Sequence, residues 1–290
     1  MSLSHKATYF LLNLFKSWLS STSKRSRSKF ASQIASLLFY KLKFRKSLAR
    51  KNIKNAFPEW SELKIDLTLK RTYLFFSQNF VDLVCTPKSW DGIRITVNGE
   101  KVLNSAIAQN KGVIFISGHF GCWEILGKWL GEYVDLFTGV ALRQKNRGAN
   151  RFFQEQREIP GTKHIFKKEP IEKMYDVLNK KGILGLVSDQ DAKRKGVFVN
   201  FFDTPASTPK GAAMFHIRTA APMVIGVCIR KSPSQYEINM STIDTSKRDI
   251  KQITQAYTSI LEKHIKEYPE QYFWFHRRWK TRHKKFLNYV

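Results

Sequence analysis

The run Val113-Ile114-Phe115-Ile116 is apolar without a break, and it ends on Ser117-Gly118-His119-Phe120-Gly121-Cys122-Trp123-Glu124. Short apolar runs rich in β-branched residues, bounded by glycine, read as buried strands. Gly118 and Gly121 then supply the backbone freedom of a strand-to-helix corner. The same texture governs the chain beyond Pro87. Further strands are predicted at 93–97, 134–142, 183–188, 197–202, 223–230 and 236–243. Helices are predicted at 100–110, 122–131, 148–158, 170–181 and 248–268, the last stopped by Pro269. Asn98-Gly99 reads as a turn, and Thr208-Pro209 as the N-cap and first residue of one more helix. Strands alternating with helices indicate an α/β domain, a mixed central sheet flanked by helices. The region before it is helical throughout, with a 3.6-residue rhythm over 62–84. No internal repeat or low-complexity linker interrupts the 290 residues, a length that buries a sizeable core. The expected division is an N-terminal arm, 1–45, and a catalytic-sized domain, 46–290.

The net charge of +27 points to an acidic partner: nucleic acid, an anionic membrane surface, or a phosphorylated ligand. Much of the excess lies early. The first sixty residues hold 13 Lys and Arg against one acid, Glu59. Within them, 7–19 is largely apolar, and thirteen helical residues span roughly 20 Å against a hydrocarbon core of ~30 Å. Phe30, Ile34, Leu37 and Leu38 form a second apolar face between basic clusters. Short apolar faces flanked by bases suit helices lying in the headgroup region of an anionic leaflet, on its cytoplasmic side. The arm is therefore expected to be an amphipathic, membrane-associating element. No small-residue cleavage site follows Leu19, which argues against a secretory signal. The three cysteines, Cys85, Cys122 and Cys228, have neither metal-ligand spacing nor a disulfide framework and suit a reducing compartment.

Three segments carry candidate chemistry. His119 and Glu124 stand five residues apart; on one continuous helix they would diverge by about 140°. Across a corner, Glu124 could accept a bond from one imidazole nitrogen and leave the other to take a proton. A capping histidine beside a surface glutamate fits the spacing as well. Ser188-Asp189-Gln190-Asp191 follows the strand 183–188, where ligand-binding groups of α/β sheets gather. Its acids could position a cationic site or pair with Lys193, Arg194 and Lys195; two carboxylates are few for a metal. The C-terminal Trp274-Phe275-His276-Arg277-Arg278-Trp279-Lys280 interleaves aromatics with bases, a pattern that suits phosphate contact beside an acyl chain, nucleic-acid stacking, or a solvated helix end. Arg143, Asn146 and Arg157 follow the strand 134–142.

Taken in order, these segments resemble the late acyltransferases of lipid A biosynthesis, the lauroyl/myristoyl transferase family of Gram-negative bacteria. The matching stretches are Asn52 to Glu59, Ser117 to Glu124, Asp189 to Asp191, Gly196 to Phe202, Pro205 to Thr208 and Pro269 to Lys280. The resemblance implies a glycerolipid-acyltransferase-like fold. It also implies transfer of a fatty acyl chain from an acyl carrier protein thioester to a hydroxyl of a phosphorylated lipid A precursor in the inner membrane. His119 would be the general base and Glu124 its orienting partner, without a covalent acyl-enzyme. Arg143, Arg157, Asp189 and Arg194 would shape the site or contact phosphate. A relative that acylates phosphatidylinositol mannosides shares the histidine motif, so another glycolipid acceptor is the alternative. A thioester is already activated, and the chemistry requires no metal or organic cofactor.

Two other classes compete. A thiol hydrolase would use Cys122 as nucleophile at a helix start. A basic nucleic-acid or membrane-binding protein would need no catalysis, yet the chain carries no helix-turn-helix, zinc-finger or RNA-binding aromatic signature, and nucleic acid is not the expected partner.

Overall fold

A computed structural model describes residues 2–158 and 161–281. Four helices come first: α1 (Leu3–Ser21), α2 (Lys24–Ser36), α3 (Lys46–Ala56) and α4 (Glu62–Val84). Then follow β1 (Arg94–Asn98), α5 (Glu100–Ile107), β2 (Val113–Ser117), α6 (Trp123–Tyr133), β3 (Phe137–Ala141), α7 (Arg147–Arg157) and β4 (Thr162–Phe166). Next are α8 (Glu172–Asn179), β5 (Ile183–Val187), β6 (Val197–Phe201), β7 (Thr204–Thr208) and α9 (Gly211–Thr219). The chain continues through β8 (Met223–Ser232), β9 (Gln235–Thr242) and α10 (Ile250–Glu267).

Seven strands form one sheet in the order β1-β9-β8-β2-β5-β3-β4, while β6 and β7 pair as a separate antiparallel hairpin. The strand β2 lies at the centre, parallel to both β5 and β8, and only the β8–β9 pairing within this sheet is antiparallel. Successive side chains of a strand point to opposite faces. Ile114 and Ile116 accordingly enter one hydrophobic core, with Leu184, Ile225 and Leu261, while Val113 and Phe115 enter the other, with Leu126 and Ile183. A central strand must be apolar on both faces, which is why its sequence shows no alternation.

Helix 62–84 coincides with α4, whose first turn is capped by the Ser61 hydroxyl accepting from the Lys64 amide. Two strands lack a clear sequence signal. The edge strand β4 reads Thr-Lys-His-Ile-Phe, and β7 contains Pro205, tolerated because its hairpin leaves an edge free. The expected helix start at Thr208-Pro209 is displaced. Thr208 is the last residue of β7, its hydroxyl accepts from Arg278 Nη2 at 2.6 Å, and α9 begins only at Gly211.

The first two helices lie against the α/β domain. Leu19 and Ala31 are buried with Val81, Val84, Cys85 and Phe152. Tyr9 donates to Glu155 at 2.7 Å, and Lys16 to Gln156 at 2.6 Å. On the opposite face of α1, Phe10, Leu11, Leu14 and Trp18 are each at least 50% exposed. Leu37, Tyr40, Leu42 and Phe44 extend this apolar exposure beyond α2. Among the described residues no helix is long and apolar enough to cross a membrane.

Candidate active site

The parallel neighbours β2 and β5 end in register, Ser117 opposite Val187. Their next residues turn over the same edge of the sheet, and the Ser188 amide still donates to the Ser117 carbonyl at 3.0 Å. This register, not local sequence, brings His119 and Asp189 together. His119 Nδ1 lies 2.7 Å from Asp189 Oδ1, although 70 positions separate the two residues.

The corner that presents His119 is pinned on several sides. Gly121 adopts φ +64°, and a Cβ there would stand 2.0 Å from the Cys228 carbonyl oxygen. Only glycine satisfies both conditions. The Cys122 amide donates to that same carbonyl at 2.7 Å, and the Gly121 amide to the Gln271 carbonyl at 2.8 Å. The His119 carbonyl accepts from the Phe273 amide at 2.9 Å. The C-terminal strap, residues 269–280, which supplies the bonds to Gly121 and His119, is itself held by Asn52, whose side-chain amide donates to the carbonyls of Trp274 and His276, both at 2.7 Å.

The imidazole is held asymmetrically. Asp189, whose side chain is only 2% exposed, accepts at Nδ1, whereas His119 retains 29% exposure. A carboxylate at Nδ1 places the proton on that nitrogen and leaves the lone pair on Nε2. The Gln190 side-chain amide lies 3.3 Å from Nε2, as a donor to that lone pair would. Trp123 and Phe273 flank the ring at centroid distances of 5.4 and 6.1 Å. Burial opposes protonation of His119, but the charge and hydrogen bond of Asp189 outweigh it and hold its pKa above the ordinary histidine value. Burial likewise disfavours the Asp189 carboxylate, yet His119 and the more distant Arg278 keep its pKa below the usual range.

Glu124 is not the hydrogen-bond partner of His119. It occupies the first turn of α6 and accepts from Arg157 Nε at 2.9 Å and Arg157 Nη2 at 2.7 Å, and from Trp123 Nε1 at 3.0 Å. A planar guanidinium matched to a carboxylate in this way is a strong, directional pair. Its cause is the placement of Arg157 in the last turn of α7, beside the start of α6. The Glu124 charge still reaches His119 through space and raises its pKa, while Arg157 acts in the opposite sense. Burial opposes the Arg157 charge, but Glu124 holds its pKa above the ordinary value.

The other predicted residues lie on the same edge of the sheet. Arg143, just beyond β3, is largely exposed; its guanidinium lies 4.3 Å from the centre of the Phe166 ring and 3.8 Å from Glu169. Arg194, in the 3-10 turn Lys193–Lys195 after β5, is exposed and has no ion pair among the described residues. Asp191 accepts from Thr281 at 3.0 Å and does not pair with the neighbouring bases. Within the C-terminal motif, Trp274, Phe275 and Arg278 are buried, so Arg278 cannot reach a phosphate at the surface. Cys122 is buried and donates to Asn79 Oδ1 at 3.3 Å, and burial pushes its thiol pKa up, the reverse of what a nucleophile needs. Among the described residues no group of three or more His, Cys, Asp or Glu is placed to hold a metal ion. The sequence reading missed Gln190 as a neighbour of the imidazole and Tyr272 and Arg278 as groups behind Asp189. The signal available was the adjacency of the strands preceding the two loops.

A basic group at one nitrogen, fixed by a buried carboxylate at the other, can remove a proton from a hydroxyl brought to the sheet edge. The profile of the family described as "Bacterial lipid A biosynthesis acyltransferase" matches residues 1–281. Similar relatives include the lipid A biosynthesis palmitoleoyltransferase of Escherichia coli K12, 27% identical over 249 residues, which span 83% of this chain and 80% of the relative. The lipid A biosynthesis lauroyltransferase of the same organism is 26% identical over 253 residues, 83% of this chain and 81% of the relative. A phosphatidylinositol mannoside acyltransferase of Mycolicibacterium smegmatis is 28% identical over 179 residues, 60% of this chain and 59% of the relative.

Proposed function

Because this chain belongs to the bacterial lipid A biosynthesis acyltransferase family, we propose that it moves a fatty acyl group from an acyl carrier protein thioester to a hydroxyl of a lipid A precursor, at the cytoplasmic face of the inner membrane. The observation that carries the reaction type is the His119–Asp189 pair, 2.7 Å apart at Nδ1, which leaves Nε2 without a carboxylate partner among the described residues. Nε2 takes the proton of the acceptor hydroxyl as its oxygen attacks the thioester carbonyl. Collapse of the tetrahedral intermediate breaks the carbon–sulfur bond, and the imidazolium returns its proton to the departing thiolate. Asp189 keeps the ring in one tautomer and stabilises the imidazolium, the role an ionised carboxylate serves in related triads. Glu124 favours the imidazolium through space, and Arg157, which it holds, is the candidate to meet negative charge developing on the carbonyl oxygen.

Arg143 and Arg194 stand as exposed cations at the same sheet edge, suited to the phosphates of the acceptor. The exposed apolar face of α1 and the segment 37–44 suit insertion into the headgroup boundary, with the basic surroundings drawn to anionic lipid. The similarity to a phosphatidylinositol mannoside acyltransferase supports a second reading in which the acceptor is another glycolipid. Mass spectrometry of lipid A from cells lacking this protein separates the two. Loss of one secondary acyl chain is the expected result and identifies its length. Unchanged lipid A alongside an under-acylated glycolipid of another class would favour the second reading.

A further inference from the structure

Asp189 is buried with a carboxylate charge, and its hydrogen-bonded neighbour His119 is neutral whenever it is ready to act as a base. Something else must then keep that carboxylate ionised, since burial alone drives a carboxyl group to protonate. The groups that face the pair can be named element by element. Glu124 and Arg157 approach from α6 and α7, while Asp191, from the loop after β5, faces His276 and Arg278 behind the pair. Tyr272, His276 and Arg278 come from the C-terminal strap. Tyr257 of α10 stands behind Arg278. Among them, Arg157 is matched to Glu124, and burial holds His276 below the ordinary histidine value. Arg278 is the remaining cation among these described residues.

Its placement is fixed. Arg278 is 2% exposed, and Nη1 donates to the Ser207 carbonyl at 2.8 Å while Nη2 donates to Thr208 Oγ1 at 2.6 Å. Neither acceptor carries a charge, so the positive charge is not neutralised where it is bonded. Nε is buried with no hydrogen-bond partner among the described residues. Arg278 and Asp189 line one cavity together with Ser117, Tyr257 and Thr258. The Tyr272 hydroxyl interacts with both Asp189 and Arg278, and burial with the Asp189 charge raises its pKa far above the ordinary tyrosine value. It remains a neutral donor.

We propose that Arg278, with Tyr272, is a positioning residue for the reaction: a permanent buried counter-charge that keeps Asp189 ionised and aimed at His119 Nδ1 through both halves of the proton cycle. Arginine is suited to this because its guanidinium keeps its proton at any physiological pH. A strut joining the strap to β7 would also explain the two hydrogen bonds, and would leave the titration of His119 unaffected by the charge at position 278.

The inference rests on His119 as the base, but its first readout needs no turnover. The His119 imidazole is titrated by nitrogen-15 NMR in the full-length, detergent-solubilised protein, for wild type, R278Q, R278K and Y272F, and the acid limb of kcat/KM is measured for the same set. Removing a cation stabilises the imidazolium, so R278Q should raise the His119 midpoint by about 0.5 to 1 pH unit, the effect of a nearby charge. R278K should keep the midpoint close to wild type, and Y272F should raise it by less than R278Q. An unmoved midpoint in R278Q, with a lowered melting temperature, would overturn the proposal in favour of the strut. Should R278Q fail to fold, Y272F decides, and an unmoved midpoint there overturns it. Absence of acyl transfer by wild type, with the midpoint shifts intact, would instead count against the proposed function alone.

Discussion

His119 has two ring nitrogens with different neighbours, a buried carboxylate at Nδ1 and a neutral amide near Nε2. That asymmetry sets the sign of the pH effects. Because Asp189 holds the His119 pKa above the ordinary value, kcat/KM should rise with pH through an acid limb lying above about 6.5. Asp189→Asn leaves burial as the stronger influence, so the limb should move to lower pH while kcat/KM falls by roughly 10² to 10⁴. A limb that stayed in place would contradict the pairing. The same shifts act on stability with opposite signs. The raised His119 pKa contributes stability below its unfolded value and loses it as pH rises through the folded value. The depressed Asp189 pKa contributes above its unfolded value and loses it as pH falls through the folded one. Glu124 makes a different prediction. Glu124→Gln leaves the half-buried Arg157 without its counter-charge, which should cost up to about 3 kcal/mol in thermal or denaturant unfolding. It should also lower the His119 midpoint, since a raising charge is lost. Sequence named both carboxylates as candidates. Which of them meets the imidazole depends on the β2–β5 register and on Arg157 reaching α6, neither of which local spacing encodes.

The elements that build the site differ in how openly the sequence announces them. A strand with four apolar residues in a row is plain from its unbroken apolar run, and the 23-residue amphipathic helix α4 from its periodicity. Edge strand β4 and the proline-bearing β7 are not, because an edge tolerates polar residues and a missing amide. The corner between β2 and α6 is legible as a glycine-rich turn, and the structure adds the reason for Gly121 in particular. Gly121→Ala would combine a left-handed backbone with a Cβ directed at the Cys228 carbonyl. Strain of this kind costs about 1 to 3 kcal/mol before any clash is added. A clear drop in melting temperature and loss of the His119 geometry are expected; a variant with unaltered melting and activity would show that the corner is not so constrained. For α1, the sequence foretold an apolar face but not that the opposite face would dock on α7 and α4. Phe10→Ser with Leu11→Ser alters only the exposed side. Partition onto anionic vesicles should weaken by at least about tenfold, from the loss of two large apolar side chains available to the headgroup boundary, with the melting temperature unchanged. Equal partition would remove this face from membrane contact.

Across the whole molecule, the net charge of +27 includes Lys and Arg in the loops that follow β3, β4 and β5, at the end of the sheet where His119 and Asp189 meet. Attraction between exposed charges is screened over about 10 Å at 0.1 M salt. Vesicle binding should therefore fall as salt rises, down to the part carried by the apolar face. Composition made an acidic partner legible, and the ordered motifs made the family legible; the depth to which α1 packs and the burial of Arg278 depend on tertiary contacts that a charge count does not contain. The proton-abstracting role of His119 remains the claim on which the others depend. Its most direct measurement is transfer of a radiolabelled acyl group from an acyl carrier protein thioester to a lipid A precursor by purified wild-type protein and by His119→Ala, with the fold of the variant checked by its melting curve. A decrease of roughly 10² to 10⁴ in turnover by a folded variant is the expected result. Transfer at a near wild-type rate would contradict it.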